Sequence, residues 1–348
     1  MFKKRVIAYY LPQFHQIPEN DKWWGVGYTE WTAIRKWKPC FSGHSIRTPQ
    51  STALGYYNLL DLSVMQSQFK VANKHNIEGF CFWTYWFGSE ERLLEKPLNL
   101  LLSGPNDVKY CIAWANHSWF DKSTWTMLKQ QNYLGVADYI LFFNAMLPHF
   151  KNKNYILDSN RPVVSIFMVK DIPDFELFVT TWNNLAKQAG FDGIFFISDQ
   201  YDPNFKYNHL LSGFSHSPEM FKNRNLFQKV LERLIRYYSW TWIGPMRYSY
   251  SKMMKNLFLD FVTVDHFIPT LFSGWDTTPR HGKRGVVLTG FDKVSFANHV
   301  KEIFSLKFNS NYIFIKSWNE WAEGNVLEPD DQFGDDLLRV IKEANQKN

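Results

Sequence analysis

Arg5-Val-Ile-Ala-Tyr-Tyr-Leu11, running straight into Pro12-Gln-Phe-His15, is the stretch that decides between the folds open to this chain. Apolar, β-branched and aromatic residues fill it from Val6 to Leu11, so it reads as a buried strand. A doubly wound nucleotide-binding sheet places a glycine fingerprint directly after such a strand, and Leu11-Pro12-Gln13-Phe14 has no glycine. Met1-Phe-Lys-Lys-Arg5 has the basic start of a secretory leader. The apolar run after it is short, however, and leads into proline with no small-residue cleavage site. No stretch approaches the roughly 20 apolar residues of a membrane span, so the expected address is the cytoplasm.

Working outward, seven further short runs rich in Val, Ile, Phe and Tyr read as strands: 78–86, 109–116, 162–169, 193–198, a weak 212–216, 263–268 and 312–318. Helical spacing lies between them at Leu62–Lys74, 173–189 and 291–306. Strands alternating with helices make a parallel sheet. Eight strands with strongly apolar first and last members favour closure. The expected fold class is α/β, a single (β/α)8 TIM barrel occupying residues 1–348 as one domain. No repeat, low-complexity linker or composition break marks a second. The one large insertion runs from Pro12 to about Tyr57, on the side of the barrel where active sites are built.

Composition narrows the chemistry. Fifteen Trp, 17 Tyr and 31 Phe make the chain 18% aromatic, and many of these rings sit among polar residues. Ring faces stack on sugar C–H faces, and Tyr and Trp add a polar handle. A net charge of +6 is too mild for a nucleic-acid surface. Three cysteines without a CxxC spacing indicate neither a disulfide framework nor a zinc site. The ten histidines form no HExxH, and there is no GxSxG elbow, so no metal or cofactor is expected.

The run 312–318 leads into Ser317-Trp-Asn-Glu-Trp-Ala-Glu-Gly324. Polar residues at the C-terminal end of a barrel strand point into the mouth. If the chain turns helical there, Glu320 and Glu323 share a face with Cβ atoms roughly 5–6 Å apart. Paired carboxylates at about 5–5.5 Å suit a retaining glycosidase, and their mutual repulsion beside buried Trp raises one pKa. An ExxE pair alone is usually a solvated helix face. Here Trp318 and Trp321 interleave with the pair at a strand end, which favours catalysis. Glu320 and Glu323 are therefore the expected catalytic residues, flanked by Asn319 and Trp321 as binding residues.

Other strand ends offer a similar mixture of rings and hydrogen-bonding groups. Tyr85 and Trp86 close the second; Trp114, Asn116 and Trp119 close the third; Trp275 and Arg280 follow the seventh. Tyr10 and His15 at the end of the first strand, with Trp24, Glu30 and Trp31 in the insertion, complete the expected substrate-binding set.

At these residues the chain resembles the WbsX-like family, which is related to glycoside hydrolase family 99, the endo-α-mannosidases. The segments that carry the resemblance are Tyr9-Tyr-Leu-Pro-Gln-Phe-His15, Trp23-Trp-Gly25, Thr29-Glu-Trp31, Tyr85-Trp-Phe87, Trp114-Ala-Asn116 and Trp275 through Arg280. Trp318 through Gly324 and Leu327-Glu-Pro-Asp330 complete them. The resemblance implies a barrel acting with retention on α-mannosidic or related surface-polysaccharide linkages. It implies that Glu320 deprotonates the sugar's own 2-hydroxyl, which attacks the anomeric carbon. Glu323 then protonates the leaving oxygen and later activates water. The implied partner is an oligosaccharide or polysaccharide, in one form lipid-linked.

Two other readings stand beside a hydrolase or transglycosylase. One is a glycosyltransferase of lipopolysaccharide, O-antigen or capsule biosynthesis; the other is a non-catalytic carbohydrate-binding barrel. A nucleotide-sugar enzyme should show a metal-binding DxD, and Asp330-Asp331 and Asp335-Asp336 read instead as solvated loop. Residues 221–258 hold eight Lys or Arg against one acid, Glu232, interleaved with Tyr237, Tyr238, Trp240 and Trp242. That segment is either a solvated basic face or a peripheral contact with the inner face of a membrane.

Overall fold

The computed structural model describes residues 4–121, 124–215, 221–238 and 240–347, with Arg236 and Tyr237 described in backbone only. Eight strands form one parallel sheet: β1 Arg5–Tyr10, β2 Gly79–Trp86, β3 Tyr110–Trp114, β4 Arg161–Ile166, β5 Phe195–Ser198, β6 Gly213–Phe214, β7 Thr270–Phe272 and β8 Tyr312–Lys316. Their order is β6-β5-β4-β3-β2-β1-β8-β7. The strands are near-continuous apolar runs because both faces of the sheet are covered.

The sheet is strongly curled. Three strand spacings separate β1 from β4, about 14 Å if the sheet were flat, yet Tyr9 Oη lies 3.1 Å from Ser165 Oγ. Lys316 of β8 donates to Asp199, just past β5, at 2.7 Å. At the open side of the sheet, β6 meets the turn that precedes β7 through a parallel bridge, Phe214 to Phe267. There Phe214 N donates to His266 O at 3.1 Å and Ile268 N to Phe214 O at 2.7 Å.

Helices α1 Pro18–Trp24, α2 Glu30–Lys36, α3 Leu62–Lys74, α4 Lys96–Leu100, α5 Val136–Phe150, α6 Phe175–Gln188, α7 Leu226–Tyr237, α8 Tyr250–Met254, α9 Thr278–His281, α10 Lys293–Ser305 and α11 Asp336–Lys347 surround it. α3 shows why such segments are helical. Asp61 caps its first turn by accepting from Ser63 N at 2.9 Å. Val64, Met65, Gln68, Phe69 and Ala72 then return to one buried face. The alternation is irregular: only the 3-10 turn Asn208–Leu210 joins β5 to β6, and the five-residue α4 stands between β2 and β3.

The expected seventh strand, 263–268, is not one. Val264 N and Phe267 N bond back to Phe261 O and Val264 O, and His266 sits at φ +61°, so this stretch turns. The strand forms after Pro269, where Thr270–Phe272 pairs with β8. Of the weak run 212–216, Gly213–Phe214 forms β6, and His216 lies outside the described residues. A second parallel pair, Met246–Ser249 with Val286–Thr289, forms a separate two-stranded sheet and was not expected from the sequence.

Candidate active site

β8 delivers the carboxylates. Past it, Trp318 N still bonds to Tyr9 O at 2.7 Å. Asn319 brackets Leu11, accepting from its N–H at 2.7 Å and donating to its C=O at 3.0 Å, which ties the ends of β1 and β8 together. Asn319–Glu320 then pairs antiparallel with Asn325–Val326. The turn between is a tight 3-10 one, Trp321–Glu323, in place of the expected α-helical turn. Gly324 closes it at φ +59°, where a Cβ would lie 2.8 Å from Asp276 N, so glycine is required. Arg47 clamps the turn from outside, donating to Gly324 O, Val326 O and Ser273 O at 2.6–2.8 Å and to Asp330 at 3.1 Å.

Three carboxylates gather around one guanidinium. Arg280 Nη1 donates to Glu323 at 2.6 Å, and Nη2 donates to both oxygens of Glu30 at 2.9 and 3.1 Å. Glu30, fully buried at the start of α2, also accepts from Ala322 N at 3.0 Å. Burial opposes the Arg280 charge, but Glu30, Glu323 and Glu320 outweigh it and hold its pKa well above the ordinary value. One cation cannot neutralise three anions. Glu320 absorbs the difference: burial first, then Glu323 and Glu30, push its carboxyl up to about 7 against the opposing Arg280 and Trp83.

Trp83 Nε1 donates to Glu320 Oε1 at 3.0 Å. Its ring stacks on Tyr9 at 4.7 Å and meets Phe167 edge-on at 5.9 Å. Tyr9 Oη in turn donates to Asp199 at 2.8 Å, and Asp199 accepts from Lys316. An aromatic wall continues through Tyr85, edge-on to Trp119 at 5.0 Å, and Trp119 meets Trp23 at 5.8 Å. Burial and then Glu320 push the Tyr85 phenol above its usual range.

The structure thus brings Glu320, Glu323, Glu30, Arg280 and Tyr85 together, with Trp119 beyond Tyr85. Asn319, Trp31 and Trp321 lie just behind them as buried supports. Trp31 Nε1 donates to Tyr57 O at 2.7 Å and Trp321 Nε1 to Glu328 at 3.1 Å. Others face elsewhere. Trp86 stacks on Phe142 of α5 at 4.8 Å, and Trp114 packs on Phe142 and Phe178, so both belong to the outer helix layer. Tyr10 also faces outward and donates to Gln68 at 2.5 Å. Asn116 is locked onto Met168 and Tyr133, and His15 is buried against Pro12 O. Trp24 is 40% exposed beside Tyr28, and Trp275 meets Phe221 edge-on at 6.3 Å. Asp330, expected in a solvated loop, is 1% exposed, because it accepts from Arg47 and from the N–H groups of Gln332 and Phe333.

Trp83 was missed by sequence reasoning, and the signal for it exists. Along β2, period-two alternation puts Cys81, Trp83 and Tyr85 on one face and Phe82, Thr84 and Trp86 on the other. Trp83 and Tyr85 are the inward pair. Glu328, in the segment Leu327-Glu-Pro-Asp330, is buried and accepts from Gln68, Tyr57 and Trp321.

Comparison with known proteins bears on this geometry. The family model described as Glycosyltransferase WbsX matches residues 6–341. Two curated relatives, both named "Uncharacterized protein WxcX", come from Xanthomonas campestris pv. campestris strains B100 and ATCC 33913. They are 27% and 28% identical over 97% of this chain and 49% of their own length. The chain therefore spans about half the length of the curated relatives it matches. Among solved structures, a glycoside hydrolase-like protein superposes with TM-score 0.60 at 16% identity, covering 99% of this chain and 94% of its own. The glycoside hydrolase family 99 endo-α-mannosidase of Bacteroides thetaiotaomicron superposes with TM-score 0.58 at 14% identity, covering 100% and 98%. At such identities the likeness is one of fold.

Proposed function

The chain belongs to the WbsX glycosyltransferase family, and on that premise we propose that it is a retaining glycan-processing enzyme using Glu320 and Glu323 on mannose-type or related surface-polysaccharide linkages. The observation that carries the two-carboxylate site, in either assignment of the roles, is the Arg280 guanidinium. Arg280 pairs with Glu323 and Glu30, while Glu320, which receives no bond from it, is poised at about 7. A group poised near the working pH is an efficient proton carrier. In this reading Glu320 takes the proton of the sugar 2-hydroxyl, and O2 attacks C1. The C1–O bond to the leaving group breaks, and Glu323 delivers a proton to the departing oxygen. Water or an acceptor hydroxyl, deprotonated by Glu323, then opens the 1,2-anhydro sugar, and Glu320 returns the proton to O2. The reading takes the curled sheet as a closed (β/α)8 barrel, supported by the Phe214–Phe267 bridge.

A second reading is a double displacement in which one Glu attacks C1 directly, and the ion pair favours it. Glu323, held by Arg280, would be the nucleophile, and Glu320 the acid. Glycosyl fluorides separate the two, because departing fluoride needs little protonation: the variant of the acid keeps activity on them and the variant of the nucleophile does not.

The defining test is mass spectrometry of mannans, surface glycans and lipid-linked or nucleotide-sugar donors incubated with the protein in ¹⁸O-water. Shortened glycans labelled at the new reducing end mean hydrolysis, and unlabelled extended products mean transfer. Both should vanish in Glu323→Gln. Binding without any turnover would leave a carbohydrate-binding barrel and remove the proposal.

A further inference from the structure

We propose that α7 and the loop after it form a docking surface for an anionic lipid membrane. α7 starts firmly: Asn225 accepts from Gln228 N at 2.8 Å, and Gln228 returns a bond to Asn225 N at 2.9 Å. Its inner face holds Ile235, fully buried, and Glu232, 7% exposed. Its outer face is apolar where a surface helix should be polar. Leu226 is 79% exposed, Phe227 71% and Val230 51%. Tyr238, Trp240 and Trp242 follow at 63%, 42% and 75%. Single exposed apolar residues are ordinary, but a cluster of this density marks a contact surface.

The chemistry around the cluster names the occupant. Leu226, Val230 and Arg233 recur at one-turn spacing along the outer face, and Lys229 and Arg233, both exposed, flank the apolar stripe. Arg247, Lys252 and Lys255 add exposed positive charge nearby. Glu232, the one acid between 221 and 258, is turned inward, where Arg224 donates to it at 2.6 Å and Tyr248 at 3.1 Å. The surface therefore presents apolar and indole side chains inside a cationic border, with Glu232 withdrawn and the exposed Asp260 held to Lys222 at 3.3 Å. Trp and Tyr settle at the headgroup level, and Lys and Arg are drawn to anionic lipid. Protein interfaces also favour aromatic residues and Arg but are depleted in Lys, whereas exposed Lys229, Lys252 and Lys255 border this surface.

The surface adjoins the mouth on the Arg280 side. Gly244 packs so tightly on the segment after Arg280 that Lys283 O leaves no room there for a Cβ. Docking thus holds the carboxylates near the bilayer, within reach of a lipid-linked glycan. That last step rests on the proposed function, whereas the docking does not.

Flotation of the 348-residue chain with vesicles of phosphatidylglycerol and phosphatidylcholine, against phosphatidylcholine alone, tests it. Binding is expected on the anionic vesicles at low salt and should weaken as salt rises. Phe227→Glu with Trp242→Glu, or Lys229→Glu with Arg233→Glu, should weaken it at least about tenfold. Leu177→Glu, on a surface remote in sequence and 44% exposed, should leave it intact, and circular dichroism confirms that every variant is folded. No binding to anionic vesicles at low salt, or binding that the α7 variants leave unchanged, overturns the proposal. So does self-association abolished by Phe227→Glu, which would give the surface to a second copy. Vesicle binding by a chain inactive on every glycan would sink the proposed function and leave the docking surface standing.

Discussion

Trp83 donates its indole N–H to Glu320 Oε1 at 3.0 Å while its ring lies flat on Tyr9, 4.7 Å away. The bond favours the ionised carboxylate and so works against the burial that raises its pKa to about 7. Trp83→Phe keeps a ring and removes the donor. The Glu320 pKa should then rise further, and the limb of the pH–kcat profile that it governs should move up with it. Hydrogen bonds to charged groups contribute about 1.5–3 kcal/mol, so kcat should fall roughly ten- to hundredfold. An unchanged profile would remove Trp83 from the mechanism.

Arg280 joins two carboxylates that are far apart in sequence, Glu30 and Glu323. Arg280→Met leaves Glu30, fully buried, without its cation. Breaking one side of a buried pair costs roughly 3–5 kcal/mol, and urea unfolding at neutral pH should show a loss of that order. Adding Glu30→Gln removes the stranded charge and should restore part of the stability. A double-mutant coupling near zero would mean that the pair is energetically idle.

Glu328 gives the fold a pH dependence apart from the chemistry. Burial pushes its carboxyl up to about 7, although Gln68, Tyr57 and Trp321 all donate to it. Below the usual carboxylate range both the folded and the unfolded chain hold this proton, and its stabilisation is complete. As pH rises the unfolded chain releases it first, and the contribution is lost through about 7. The swing is about 3 kcal/mol. Because Glu320 titrates in the same window, the measurement is the difference between the native chain and Glu328→Gln. The native chain should lose more stability than the variant between mildly acid and mildly alkaline pH. Parallel curves would refute it.

Much of this was legible from local pattern. α3 carries its cap and its apolar period in its own sequence, and β1, β2 and β8 are dense in strand-forming residues. The carboxylate pair sits three residues apart at a strand end, within one short motif. What depends on distant partners was not legible. The run 263–268 has the composition of a strand, yet the ladder with β8 begins only after Pro269. Trp86 and Trp114 read as sugar platforms because rings cluster around them, and only the alternation along β2 separates inward Trp83 and Tyr85 from outward Trp86. No single sequence shows that Glu30 and Arg280, 250 positions apart, share a hydrogen bond.

Gly324 offers the sharpest test of how the turn and the Arg280 segment depend on each other. Asp276 N donates to Glu323 O at 2.6 Å, and Gly324 packs against the same residue. Asp276 accepts from Thr278 N and Oγ1, fixing the start of α9, which carries Arg280. Gly324→Ala introduces a methyl 2.8 Å from Asp276 N and Cβ on a backbone held at φ +59°. A left-handed residue with a Cβ costs about 1–2 kcal/mol, and relieving the overlap about 1–3 more. The relief available is to push Asp276 away, which draws Arg280 off Glu323. Gly324→Ala should therefore lower the melting temperature and cut kcat more than a purely structural lesion of equal stability cost, such as one at Trp86. Equal activity losses at matched stability would show that the two segments move independently.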